Sequence, residues 1–164
     1  MIVNAKGEVI LNTNQLTLEY YNKFPTVLRD ALKCGKVQFP NSLQCRYEEL
    51  SVFRGVKYTK NKTEIEKSDF FSQIERKKIN PMVMADDSNI ADYSCSVYIN
   101  LEELHQRTKF PNKSMAIAKG TIKNVFGPIN MNKKTSHIDL FLFNNVNPSN
   151  EFEVIEIWGK NGSN

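Results

Sequence analysis

Apolar residues recur with different periods in different parts of the chain. Met1–Val3 and Glu8–Leu11 are short apolar runs flanking Asn4-Ala5-Lys6-Gly7. Asn and Gly tolerate positive φ, so this pattern predicts a hairpin. Thr13 or Asn14 then caps a helical stretch carrying Leu16, Leu18, Tyr20, Tyr21 and Phe24. Pro25 is placed to open a second helix at its first position, where a missing N–H costs nothing. Val27, Leu28, Ala31 and Leu32 give that helix one apolar face, and Gly35 is its stop. A strand centred on Val52 and Phe53 follows within residues 45–58. The next helix is expected from Ser68 to Lys78, with Ser68 as N-cap, Asp69 near its positive end and Arg76-Lys77-Lys78 at its negative end. Residues 79–90 read as a loop.

Beyond this point strands dominate. Tyr93–Tyr98 is a short strand, and Asn100 with Glu103 makes a capping box for a helix over Leu101–Thr108. Met115–Val125 reads as a strand closed by Gly127-Pro128, residues 130–136 as a polar loop, and Ile138–Phe143 as a strongly apolar strand. Phe152–Trp158 is the last strand, with Phe152, Val154, Glu156 and Trp158 alternating against Glu151, Glu153, Ile155 and Ile157. The fold class expected is α+β, with helices in the first two thirds and strands in the last third. One domain is expected over residues 1–158, with a hairpin and helices in 1–44 and a β-rich core in 45–158. Residues 159–164 read as a flexible tail.

Composition narrows the class. A chain of 164 residues that is 40% hydrophobic and 24% charged can bury a core without metal or disulfides. No apolar run approaches the ~18 residues of a membrane span, and the polar residues among the first eleven do not form a signal peptide. Cys34, Cys45 and Cys95 fit neither a disulfide framework nor a CxxC zinc pattern. They read as small buried hydrophobes in a reducing compartment, so a cytoplasmic protein without metal is expected. The net charge is +4. Lys57, Lys60, Lys62 and Lys67, with Tyr58 and Phe70 among them, could form a single-strand nucleic-acid surface. Glu64, Glu66, Asp69 and Glu75 interrupt it, which is the pattern of an ordinary mixed surface.

Three short elements carry candidate chemistry: Phe53-Arg54-Gly55 on a strand, Ser94-Cys95-Ser96 on a strand leading into a helix, and Glu151-Phe152-Glu153-Val154-Ile155 entering the final strand. In this order, over roughly residues 50–158, they resemble the Arg–Ser–Glu class of ADP-ribosyltransferases. The resemblance implies two packed, twisted, mainly antiparallel sheets in a sandwich, with N-terminal and peripheral helices, and NAD in the cleft as substrate. Under it, Glu153 stabilises the oxocarbenium-like ribose left when nicotinamide departs. Glu151, two residues earlier, helps the acceptor attack, and Ser94 holds the glutamate and the nicotinamide ribose. Arg54 grips the diphosphate with its planar fork of donors. Gly55 leaves room for the cofactor, and Ser96 joins them on the cofactor side. The acceptor is a protein or a nucleic acid.

The same residues have plainer readings. Arg54 at a strand end also suits a surface ion pair, Ser94 and Ser96 a solvent face, and Glu151 and Glu153 an edge strand kept from aggregating. Cys95 reads as structural, His105 as solvated, and Trp158 as a core or lid residue. His137 has Asp139 two residues on and on the same side of its strand. That pair suits base chemistry, or a strand-edge hydrogen bond, which is the favoured reading. Two other functions therefore stand beside the enzyme: a small non-enzymatic bacterial or phage protein that modulates a protein partner, and a nucleic-acid-binding module. Oligomeric state is left open.

Overall fold

The computed structural model describes residues 2–3, 9–10 and 18–157. The two short strands expected at the N-terminus are there, β1 (Ile2–Val3) pairing antiparallel with β2 (Val9–Ile10), and the turn expected over 4–7 lies outside the described residues. The cap expected at Thr13 or Asn14, Trp158 and the tail 159–164 lie outside the described residues. α1 (Leu18–Tyr21) precedes α2 (Thr26–Lys33). α2 starts one residue later than expected, because Pro25 is still extended (ψ 148°) and stands at the N-cap. Leu28, Ala31 and Leu32 are the buried face of α2, and Gly35 ends the segment at φ +74°.

Six strands follow: β3 (Leu50–Lys57), β4 (Cys95–Tyr98), β5 (Met115–Ile122), β6 (Ile129–Met131), β7 (His137–Leu140) and β8 (Phe152–Ile157). The protein is α+β. These six strands form one antiparallel sheet in the order β6-β7-β4-β3-β5-β8, where the resemblance implied two packed sheets. The sheet is nevertheless pinched at its centre. β3 pairs with β5 along its whole length but meets β4 only at Phe53 and Tyr98.

Directly paired residues share a face of the sheet. Val52, Val56, Cys95, Val97, Ala116, Ala118, Ile138 and Leu140 thus face one way, into a core closed by Phe70, Phe126 and Phe152. A neighbouring core joins α2 to Ile74, Tyr93 and Phe141. Phe53, Tyr98 and Ile117 face the other way. There they meet Leu101 and Leu104 of α4 (Leu101–Thr108), with Phe110 beyond the helix.

Three local expectations are corrected. No single helix runs from Ser68 to Lys78. A 3-10 turn covers Lys67–Phe70, Phe71 is extended, and α3 (Gln73–Ile79) begins behind Ser72. Ser72 Oγ accepts from Glu75 N at 3.2 Å while Glu75 Oε2 accepts from Ser72 N at 2.8 Å. This capping box sets the start. Asp69 stands at the start of the 3-10 turn and not of α3, and its buried carboxylate accepts from Lys62 Nζ at 2.6 Å and from the Glu66 N–H at 2.9 Å. The polar stretch expected as a loop over 130–136 contributes its first residues to β6, an edge strand too short for its alternation to be readable. In β8 the pairing slips between Ile117 and Ala118 of β5, so Ile155 is a bulge and Glu156 joins Glu153 on the α4 face. Of the three cysteines only Cys95 is buried, and Cys34 is exposed. Among the described residues no helix is long and apolar enough to cross a membrane.

Candidate functional site

β4 and β7 lie side by side with Ser96 opposite Asp139 and Tyr98 opposite His137. Alternate residues of a strand share a face. Ser94, Ser96 and Tyr98 therefore stand beside Asp139 and His137 on the side that α4 partly covers. Ser94 closes a 3-10 turn over Ile90–Tyr93 and is buried. Its Oγ lies 2.7 Å from the Ala91 carbonyl oxygen and 3.0 Å from Asp139 Oδ1, two acceptors competing for one hydroxyl proton. Ser96 Oγ is 3.0 Å from His137 Nε2, and that nitrogen is 3.8 Å from Asp139 Oδ1. Serine and aspartate approach the same ring nitrogen. A nucleophile–base–orienter relay needs them on opposite nitrogens, so this is not a serine-hydrolase arrangement.

A cavity of about 450 Å³ meets this network at His137 and is lined by Tyr98, Glu103, Arg107 and Asn132 among others. α4 presents Glu103 and Arg107 to it from adjacent turns. The helix begins where the sequence predicts, with Asn100 Oδ1 accepting from Glu103 N at 3.0 Å. The second half of the expected capping box is absent. Glu103 Oε2 instead accepts from the Ser136 N–H and Oγ–H, both at 2.8 Å, and ties down the cavity's far wall. Arg107 is exposed and has no ion-pair partner among the described residues.

The backbone and hydroxyl donors of Ser136 hold the Glu103 carboxyl below the usual 4.5. A depressed folded-state pKa contributes stability at neutral pH that is lost as pH falls through that depressed value. An NMR titration from about pH 6 to about pH 2 is expected to move the Ser136 amide resonance with a midpoint below 4.5. A midpoint at or above 4.5 would show that the wall is not held this way.

The residues singled out from the sequence do not all meet here. Ser94 and Ser96 are in the network. Arg54 projects from the opposite face, because it pairs with Ala118 while its neighbour Phe53 pairs with Lys119. Its buried guanidinium donates from Nε to the Asp69 carbonyl at 2.8 Å and from Nη1 to the Ser96 carbonyl, over the Phe70 ring. Arg76 Nη2 reaches the same Asp69 carbonyl at 3.1 Å. Burial, and then the facing Arg54, hold the Arg76 guanidinium below its usual range. Arg54 therefore braces the pinch between β3 and β4 and is not presented to a diphosphate. Gly55 makes room for protein: a Cβ there would lie 2.9 Å from Met115 Sδ and 3.5 Å from Thr108 Cγ2.

Glu153 is exposed on edge strand β8, paired with Lys119. It shares the face of Ser96, but β3 and β5 intervene, and three strand spacings amount to about 14 Å. No serine of β4 is within its reach. Glu151 lies in the turn before β8 with its Oε2 3.3 Å from Lys123 Nζ, so it is not a strand companion of Glu153. His105, expected to be solvated, stacks on Phe110 and has Nε2 3.0 Å from Glu156 Oε2, without hydrogen-bond alignment.

Sequence reasoning missed Asp139 as the carboxylate that Ser94 holds, and Glu103 and Arg107 as cavity residues. The legible signal for the first was the His137-x-Asp139 spacing on a strand. Among the described residues, no group of three or more His, Cys, Asp or Glu could hold a metal ion. No family model, curated protein or solved structure matches the chain.

Proposed function

We propose that this protein transfers ADP-ribose from NAD, with Asp139 in the place that the sequence motif suggested for Glu153. The observation that carries this reading is the 3.0 Å contact between Ser94 Oγ and Asp139 Oδ1. A carboxylate within hydrogen-bond reach of a serine is what the chemistry requires. Asp139, which shares its strand face with the cavity-lining His137, meets that requirement where Glu153 does not.

The reaction breaks the bond between ribose C1′ and nicotinamide N1. The electron pair leaves with nicotinamide and neutralises its pyridinium charge, so positive charge develops on the ribose. A carboxylate fixed in advance stabilises that charge more than mobile water does. Asp139 is held by Ser94 and is largely withdrawn from solvent, its side chain being 13% exposed. The acceptor's lone pair then closes on C1′ as the acceptor gives up its proton. Arg107, at the cavity wall and without an ion-pair partner among the described residues, supplies the cation for the diphosphate that Arg54 cannot supply.

Nicotinamide release from NAD, with transfer of adenylate-labelled ADP-ribose to cell-extract acceptors, tests the reading. Asp139→Asn is expected to lower release by about 10²–10³-fold, and Glu153→Gln to leave it unchanged. Equal rates in wild type and Asp139→Asn would refute the role of Asp139. A second reading, a non-enzymatic protein that docks a protein partner, is favoured by the strong exposure of Ile79, Met82 and Met84 on one segment. It predicts that NAD stays intact in the same assay.

A further inference from the structure

We infer that His137 is the base that takes the acceptor's proton, through Nδ1, and that the acceptor is therefore a neutral hydroxyl. This rests on the reading of Asp139 as the carboxylate at the ribose.

The two ring nitrogens of His137 have different surroundings. Nε2 faces two oxygens, Ser96 Oγ at 3.0 Å and Asp139 Oδ1 at 3.8 Å. A nearby carboxylate favours the tautomer that carries its proton on that side. Nε2–H then donates to Ser96, and the lone pair is left on Nδ1. No hydrogen bond from the described residues reaches Nδ1. The ring is packed beside Tyr98, with centroids 5.1 Å apart, and lines the cavity. The groups facing it are the Tyr98 phenol from β4, Asp139 from its own strand, and Glu103 and Arg107 from α4. One nitrogen is thus committed to protein and the other is available to a guest.

This divides the work between two residues of one strand face. Asp139 stabilises the ribose cation. His137 Nδ1 accepts the proton of an O–H as that oxygen bonds to C1′, and the resulting imidazolium is stabilised by the Asp139 carboxylate beside Nε2. A neutral imidazole suits a neutral O–H donor. It offers no charge to pair with a guanidinium acceptor, and Glu103, the carboxylate that lines the cavity, is occupied by Ser136. The hydroxyl belongs to water or to an alcohol, and the products separate these.

The test measures initial rates of NAD cleavage by wild type, His137→Gln and Asp139→Asn, with and without sodium azide, with products resolved by mass spectrometry. Azide is an anionic nucleophile with no proton to lose, so it needs no base. His137→Gln is expected to slow cleavage about 100-fold without azide. Azide should restore it to within about threefold of wild type, giving ADP-ribosyl azide. Asp139→Asn should stay slow with azide, because the ribose cation is still unsupported. With wild type in added methanol, ADP-ribose as the product marks water as the acceptor, and the methyl riboside marks an alcohol; both are hydroxyls, and both support the inference. Wild-type rates in His137→Gln, or a loss that azide does not restore while NAD still raises that variant's melting temperature, overturn the base assignment alone. Transfer confined to arginine side chains overturns the acceptor class. If wild type leaves NAD intact, the reading of Asp139 falls and this inference falls with it.

Discussion

Arg54→Ala is expected to destabilise the protein by about 3 kcal/mol while leaving the geometry of Asp139 unchanged. Each hydrogen bond from a charged group contributes about 1.5–3 kcal/mol, and Arg54 makes two, to the carbonyls of Asp69 and Ser96. The Asp69 carbonyl keeps Arg76 as a donor, whereas no other bond to the Ser96 carbonyl crosses the pinch. The stem packed against Phe70 is lost as well. Relief of the repulsion from Arg76 offsets part of the cost. Urea denaturation checks the value. A loss below about 1 kcal/mol, with NAD affinity abolished, would return Arg54 to the role of phosphate ligand.

Gly127→Ala should cost about as much, for a backbone reason. Gly127 has φ +142°, in the region that L side chains rarely adopt. A Cβ there would overlap the Phe141 carbonyl oxygen and lie 3.0 Å from its carbonyl carbon. The chain runs this close because the Phe141 N–H donates to the Pro128 carbonyl at 3.0 Å and the Phe143 N–H to the Phe126 carbonyl at 2.8 Å, locking β6 beside β7. Strain and overpacking each cost about 1–3 kcal/mol, so a loss of about 3 kcal/mol is expected in thermal or urea unfolding. Because β7 carries His137 and Asp139, their side-chain resonances should shift in this variant and stay put in Arg54→Ala. A stability within about 0.5 kcal/mol of wild type would mean that the β6–β7 junction relaxes freely.

Elements with a strong local signal were legible. α4 runs from Leu101 to Thr108 as read, because the Asn100 side chain that caps it is a local signal. β3 is an alternating run long enough to read. The failures have equally local causes. The break at Phe71 depends on Asp69 being drawn off to Lys62 and the Glu66 backbone, and Ser72-x-x-Glu75 competes with Ser68 for the same helix start. β6 is a strand only because β7 lies beside it.

The sequence by itself determined that this chain folds as α+β and that Ser94 and Ser96 stand on one strand face, since that follows from a period of two. It also determined that His137 and Asp139 share a face, by the same rule. Which carboxylate the serine meets was a tertiary decision. Strand order puts β7 against β4 and sends β8 to the far edge, so Asp139 is adjacent and Glu153 is about 14 Å away. Strand order depends on pairings between distant segments that no local pattern encodes. The fate of Arg54 was decided there too: a guanidinium reads the same on either face, and only the register with β5 turned it inward, onto two carbonyls.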